Sequence, residues 1–263
     1  EAADQQRRAL TWHHPVPSSL PALAEVRSRV WEHGSNDPRY LHVRYGVCAQ
    51  PVSLELVPPE SAPIDQVDPA AASALHRLLV VHRVQPDLPA SVDLRAFDRI
   101  EVCGSEQPAR SLARGLICSA ATFHAPEHLV VAVLTAEQHL AEWDWLKWLT
   151  HTSSPHSPVT GPHLVSGPEG LTLLAQLEDL LDGRAKRDGE ARTIPAIVVL
   201  VDHECQYDRA RLVALAERGR PCGLYVVWLA PRVDALPAAC QAFVDLSHPD
   251  PVLTLSSSDG DQV

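Results

Sequence analysis

VCGSEQPARSL, residues 102 to 112, marks the junction where an apolar run, DRIEVCG, gives way to a helix-like one, ARSLARGLICSAATF. Its spacing approaches that of a phosphate-binding loop, G-x-x-x-x-G-K-[ST]. Gly104 is followed by four residues and then by Ala109, Arg110 and Ser111 where such a loop has Gly, Lys and Ser. A working loop of this kind needs a second strand that ends in an acid, to hold the water shell of Mg²⁺. AIVVLVDHE supplies one, closing on Asp202. Either half alone is an ordinary strand-to-helix turn or a strand with a polar end. Together, in this order, they point to a P-loop relative.

The surroundings fit that fold. From about Ala90, apolar strands alternate with amphipathic helices, which is the pattern of an α/β, largely parallel sheet covered on both faces. Strands are predicted at SVDL, RIEVCG, HLVVAVLT, GPHLVSG, IPAIVVLVD, CGLYVVWLA, AFVDLS and PVLTLSS, and helices near 107–122, 169–182 and 208–219. Ligands of such sheets sit beyond the carboxyl ends of the strands. Residues 1–88 lack this alternation and read as an N-terminal appendage to a P-loop-like domain spanning 89–263. Within the appendage, EAADQQRRAL reads as a helix cut from a longer one. Ser19 and Pro21 open a helix from about Ser18 to Glu32, with Leu23, Val26 and Val30 on one face. RYLHVRYG and VSLELV flank a short turn and predict a hairpin, and Asp68–Pro69 starts a helix that runs through about His82.

The substitutions in the loop weigh on its chemistry. Ala109 adds a Cβ where the second glycine lets backbone amides approach phosphates, and it disfavours a positive φ. Arg110 is planar and long where a compact ammonium is needed. Pro108 removes an amide donor. After Asp202 comes His203, at the position where a motor ATPase places a catalytic Glu, and Glu204 is one residue too far along. ATP with Mg²⁺ is the one cofactor for which residues remain, Arg110 standing in for Lys and Asp202 holding the metal. The expectation is a P-loop fold with a decayed site that binds ATP weakly and hydrolyses it poorly or not at all.

Composition narrows the alternatives. A formal net charge of −11 speaks against a nucleic-acid backbone as partner, because counterion release needs clustered Lys and Arg. The six cysteines form no C-x-x-C pair and several lie in apolar runs, which fits a reducing compartment. No metal site is expected from the fourteen histidines: there is no H-E-x-x-H, and Pro126 separates His124 from His128. The longest apolar runs are too short to span a bilayer. AEWDWLKWLTH, residues 141–151, holds half of the six tryptophans. In a helix, Trp145, Trp148 and Leu149 share an apolar face while Trp143 lies on another side. This stretch reads either as core or as a docking surface.

The runs RVWEHGSNDPRYLHVRYG, ATFHAPEHLVVAV, WDWLKWL with His151, and GLYVVWLAPRVDALPAACQAFVDL resemble the EccC proteins. These are the FtsK/SpoIIIE-type motor ATPases of actinobacterial type VII (ESX) secretion systems. The resemblance covers almost the whole chain. It implies the membrane-proximal domain of that family, which follows transmembrane helices and precedes successive ATPase domains, with a RecA/FtsK-like core and a degenerate nucleotide site. The family's Walker A region falls on Gly104 to Ser111 and its Walker B region on Asp202. Arg110 and His203 are departures that put hydrolysis in doubt. The implied partners are other EccC domains and subunits and the membrane-core proteins, and the implied location is the cytoplasmic face of the cell membrane. An FtsK-like DNA translocase module is a further alternative that the negative charge opposes.

Overall fold

The computed structural model describes residues 1–54, 69–186, 194–235, 241–247 and 252–255. The chain divides into two compact units, one of residues 1–19 and 44–92 and one of residues 20–43 and 93–263. Residues 20–43, read above with the appendage, therefore pack with the sheet.

The larger unit is built on a seven-stranded sheet in the order β5-β4-β6-β7-β3-β8-β9, with β3 (Arg99–Cys103), β4 (Leu129–Leu134), β5 (Leu164–Val165), β6 (Ala196–Val201), β7 (Leu224–Ala230), β8 (Ala242–Asp245) and β9 (Val252–Leu255). All its pairings are parallel except β8 with β9. LVVAVL in β4, AIVVLV in β6 and LYVVWLA in β7 are buried at every position. Unbroken β-branched and apolar runs of this kind are what a sheet covered on both faces requires. On one face α4 (Glu106–Phe123) lays Ala113, Leu116, Ile117 and Ala120 against Val131, Val198, Leu200 and Val227. On the other, α6 (Gly167–Ala185) and α7 (Arg209–Gly219) bury Leu173, Leu174, Leu177, Leu212 and Leu215 against Val130, Ile197, Val199 and Val226. Each of the Val, Leu and Ile side chains contributes about 1.5–3 kcal/mol on leaving water. The strand before the loop-like junction, β3, and the strand ending at Asp202, β6, flank β7. Both junctions thus open on the same edge of the sheet.

The helix predicted over 18–32 is cut short. Only α2 (Leu20–Glu25) is α-helical, behind a 3₁₀ turn at 17–19, and Arg27, Arg29 and Trp31 take positive φ of 50°, 61° and 60°. A tertiary demand overrides the local preference. The Trp31 and His33 amides donate to the Thr122 and Phe123 carbonyls at 2.9 Å, which supplies partners for carbonyls that the end of α4 leaves without intrahelical ones, and the Arg29 guanidinium lies over the Phe123 ring.

In the smaller unit α1 (Ala2–His13) and α3 (Pro69–His82) form as expected, but the hairpin does not. The strand β1 (His42–Pro51) pairs instead with β2 (Val84–Asp93), and the two meet at a Val52 N–H to Arg83 carbonyl bond of 3.0 Å. Residues 55–57 of VSLELV lie outside the described residues, and SVDL belongs largely to this ribbon, not to the main sheet. Pro86 and Pro89 hid β2 from a reading of propensities. A two-stranded ribbon tolerates them because each strand keeps an edge free of ladder bonds. Side chains of α1 satisfy backbone groups there: Arg7 donates to the Pro86 and Asp87 carbonyls, and Gln6 to that of Pro51.

A buried histidine braces α4 in the larger unit. His124 Nδ1 donates to the Ala120 carbonyl at 2.7 Å and its Nε2 accepts the Leu41 amide at 2.9 Å, while His151 Nε2 donates to the His124 carbonyl. Burial holds His124 neutral, its pKa lowered to about 4, and burial likewise lowers His151, His163 and His203. A histidine depressed in the folded state stabilises above its unfolded pKa, and that stability is lost as pH falls from about 6.5 toward 4. Urea unfolding at pH 5 is therefore expected to give a stability lower than at pH 7 by about 2 kcal/mol from His124 alone. Equal stability at the two pH values contradicts this account.

Candidate nucleotide site

The β3–α4 junction is tight. Gly104 has φ +149°, and a Cβ there would lie 2.9 Å from Leu246 Cβ, so the missing side chain makes room for the segment after β8. Leu246 N–H also donates to the Cys103 carbonyl at 2.8 Å. Ser105 is the N-cap in extended conformation and α4 begins at Glu106. Ala109, Arg110 and Ser111 consequently lie inside the helix and not in a loop. Of the first-turn amides, Pro108 has none and that of Ala109 donates to the Ser105 carbonyl at 3.1 Å. Glu106 places a carboxylate at the positive end of the helix dipole, where a phosphate would otherwise be favoured.

Arg110 and Asp202 are brought together. Each is 1% exposed. Arg110 Nε donates to Oδ1 and Oδ2 of Asp202 at 3.1 and 3.2 Å, and its Nη1 donates to Glu106 Oε2 at 2.9 Å. Three more donors complete the shell of Asp202: Thr135 Oγ1 and Trp143 Nε1 reach Oδ2 at 2.8 Å each, and the His203 amide reaches Oδ1 at 2.8 Å. A carboxylate has about four acceptor positions, and these contacts fill them. Holding a metal's water would require taking this shell apart, and breaking one partner of a buried pair costs about 3–5 kcal/mol.

The remaining residues of the reading are placed as follows. Ala109 is buried in the α4 packing and Ser111 is exposed. The strand between the two junctions, β7, ends in Leu229 and Ala230 and is followed by Pro231, so the end of this strand itself brings no polar side chain to the gap. His203 is buried and its imidazole is driven neutral, chiefly by burial. Glu204 turns to Gln138 Nε2 at 2.9 Å and lies 3.7 Å from His139 Nε2. A cleft of about 180 Å³ at the carboxyl ends of β6 and β7 is lined by Asp202, Glu204, Cys205, Tyr207, Arg209 and Trp228, among others. Among the described residues no group of three or more His, Cys, Asp or Glu is placed to hold a metal ion.

Thr135 and Glu106 were not singled out from the sequence, and Trp143 was read as core or docking surface but not as a partner of Asp202. Thr135 carried a signal: like Asp202, it is the polar residue that closes a six-residue apolar strand. Trp143 carried none, because the stretch is not one helix. α5 (Leu140–Trp143) passes into a 3₁₀ segment at 144–148, which buries Trp143 completely and leaves Trp148 80% exposed. The apolar face expected from Trp145 and Trp148 does not form. Trp143→Ala is expected to cost about 3–5 kcal/mol in chemical unfolding, whereas Trp148→Ala should change stability by less than about 0.5 kcal/mol. Comparable losses for both contradict the assignment.

No model of a known protein family matches the chain. It is 37% identical over 155 residues to the ESX secretion system protein EccC of Thermomonospora curvata, a match that covers 59% of this chain and 12% of that protein. It is 30% identical over 203 residues to the ESX-4 secretion system protein EccC4 of Mycobacterium tuberculosis, covering 77% of this chain and 15% of the other. The chain thus spans a small part of the curated relatives it matches. Among solved structures, EssC (ATPases 2 and 3) from Geobacillus thermodenitrificans superposes with a TM-score of 0.51 at 11% identity, covering 84% of this chain and 40% of that one. That likeness is one of fold.

Proposed function

We propose, for a chain that belongs to the EccC family of ESX (type VII) secretion proteins, that this stretch is an ATPase-like domain without catalytic activity, which couples the membrane complex to downstream ATPase domains. The observation that carries the reading is the occupied carboxylate of Asp202: the acid that a motor domain offers to Mg²⁺ is committed to Arg110, Thr135, Trp143 and its own loop. An engaged guanidinium replaces the mobile ammonium that would reach for phosphate. Glu106 and Leu246 fill the positions from which a helix terminus and a glycine would meet it. The domain couples the membrane side to the ATPase domains that follow, and its partners are other EccC domains and subunits and the membrane-core components. No helix among the described residues is long and apolar enough to cross a membrane. On this reading, membrane attachment comes from transmembrane helices upstream of the stretch, with the domain on the cytoplasmic face.

Titration calorimetry with Mg²⁺-ATP is expected to show binding weaker than about 100 μM, with phosphate release no faster than that of an Asp202→Ala variant. Low-micromolar binding, or turnover that the variant abolishes, would instead establish an active ATPase in which Arg110 and Asp202 do the work.

A further inference from the structure

The stretch from Thr135 to Trp143 leaves β4 and returns to the atom it started from. Thr135 Oγ1 and Trp143 Nε1 each donate to Asp202 Oδ2 at 2.8 Å. Midway, Gln138 Nε2 donates to Glu204 Oε2 at 2.9 Å, and His139 Nε2 lies 3.7 Å from the same oxygen. Four side chains of this excursion thus turn to the two acids at the exit of β6. Arg114 pairs with Glu142 at 3.3 Å and lies over the Trp143 ring at 5.8 Å, but it is partly exposed, and exposed pairs hold little. Its buried apolar anchors are Ala136 and Trp143, and Trp143 is positioned by its own bond to Asp202. Beyond it the chain runs directly into the 3₁₀ segment that carries the exposed Trp148.

We propose that residues 135–143 are a strap latched to the carboxyl edge of the sheet by the charge of Asp202. The Thr135 amide also donates to the Val165 carbonyl at 3.1 Å, but one oxygen accepts from the side chains at both ends, so a weakened acceptor loosens both. Arg110 is the charge partner of that acceptor in a buried setting, where an unpaired carboxylate would be too costly. The ion pair therefore does more than fill the old site: it decides whether the strap, and the Trp148 segment behind it, is held against the sheet. Any group that competes for Asp202 loosens a surface element that it does not touch. The 180 Å³ cleft is lined in part by Asp202 and Glu204, the two acids to which the strap is tied.

Hydrogen–deuterium exchange on the whole chain tests the latch. In Thr135→Val and in Trp143→Phe, each of which removes one donor to Asp202 Oδ2 and keeps the Arg110 pair, the amides of 136–148 are expected to exchange several-fold faster, while those of β4, β7 and α6 keep their protection. Exchange in 136–148 equal to that of the parent chain, or a uniform acceleration across the sheet, overturns the proposal.

Discussion

Two side chains from distant parts of the chain, Arg110 in the first turns of α4 and Asp202 at the end of β6, meet where almost no water reaches them. Burial makes the pair consequential. In water such a contact is worth little, but in a low-dielectric interior neither partner tolerates the loss of the other. The planar guanidinium spreads its contacts over both Asp202 oxygens and Glu106, which fixes the start of α4 relative to the end of β6. Thr135 and Trp143 then attach the exit of β4 to the same carboxylate. The edge of the sheet where an α/β protein binds its ligand is in this chain joined by internal contacts.

On the proposed reading, the fold of an ATPase domain is kept while its binding chemistry is altered at a few positions. Strand order and parallel pairing depend on the long apolar runs of β4, β6 and β7, which the site residues do not enter. Phosphate chemistry depends on a mobile lysine, free amides and an acid with open acceptor positions, and each has a substitute that points inward: Arg110, the early start of α4 at Glu106, and the filled shell of Asp202. On that reading, fold and activity can separate because they rest on different residues.

The sheet was legible in the sequence because its strands are continuous β-branched runs separated by helices of clear period, and this pattern survives without tertiary information. Gly104, Arg110 and Asp202 were legible as a set because a loop-like spacing and an acid-ended strand occur in order. What those residues do to one another was not legible, since it depends on where α4 begins, and a capping Ser105 without a capping bond leaves little trace. The path of residues 26–34 was hidden for a related reason: it answers to the carbonyls of Thr122 and Phe123, far away in sequence. Prolines concealed β2, and only its place in a two-stranded ribbon makes them tolerable. Trp143 was read as lying off the apolar face of a helix, and the break between α5 and the 3₁₀ turn reversed which tryptophan is buried.

The central claim is that Arg110 and Asp202 act as one buried unit. A double-mutant cycle of Arg110→Ala, Asp202→Ala and the combined variant, read by urea unfolding, tests it most directly. The account predicts that each single change is severe, because it strands a charge in the interior, and that the double variant is less destabilised than the sum by about 2 to 3 kcal/mol. Losses that add within about 0.5 kcal/mol would show that the two residues stabilise the fold independently and would contradict the account.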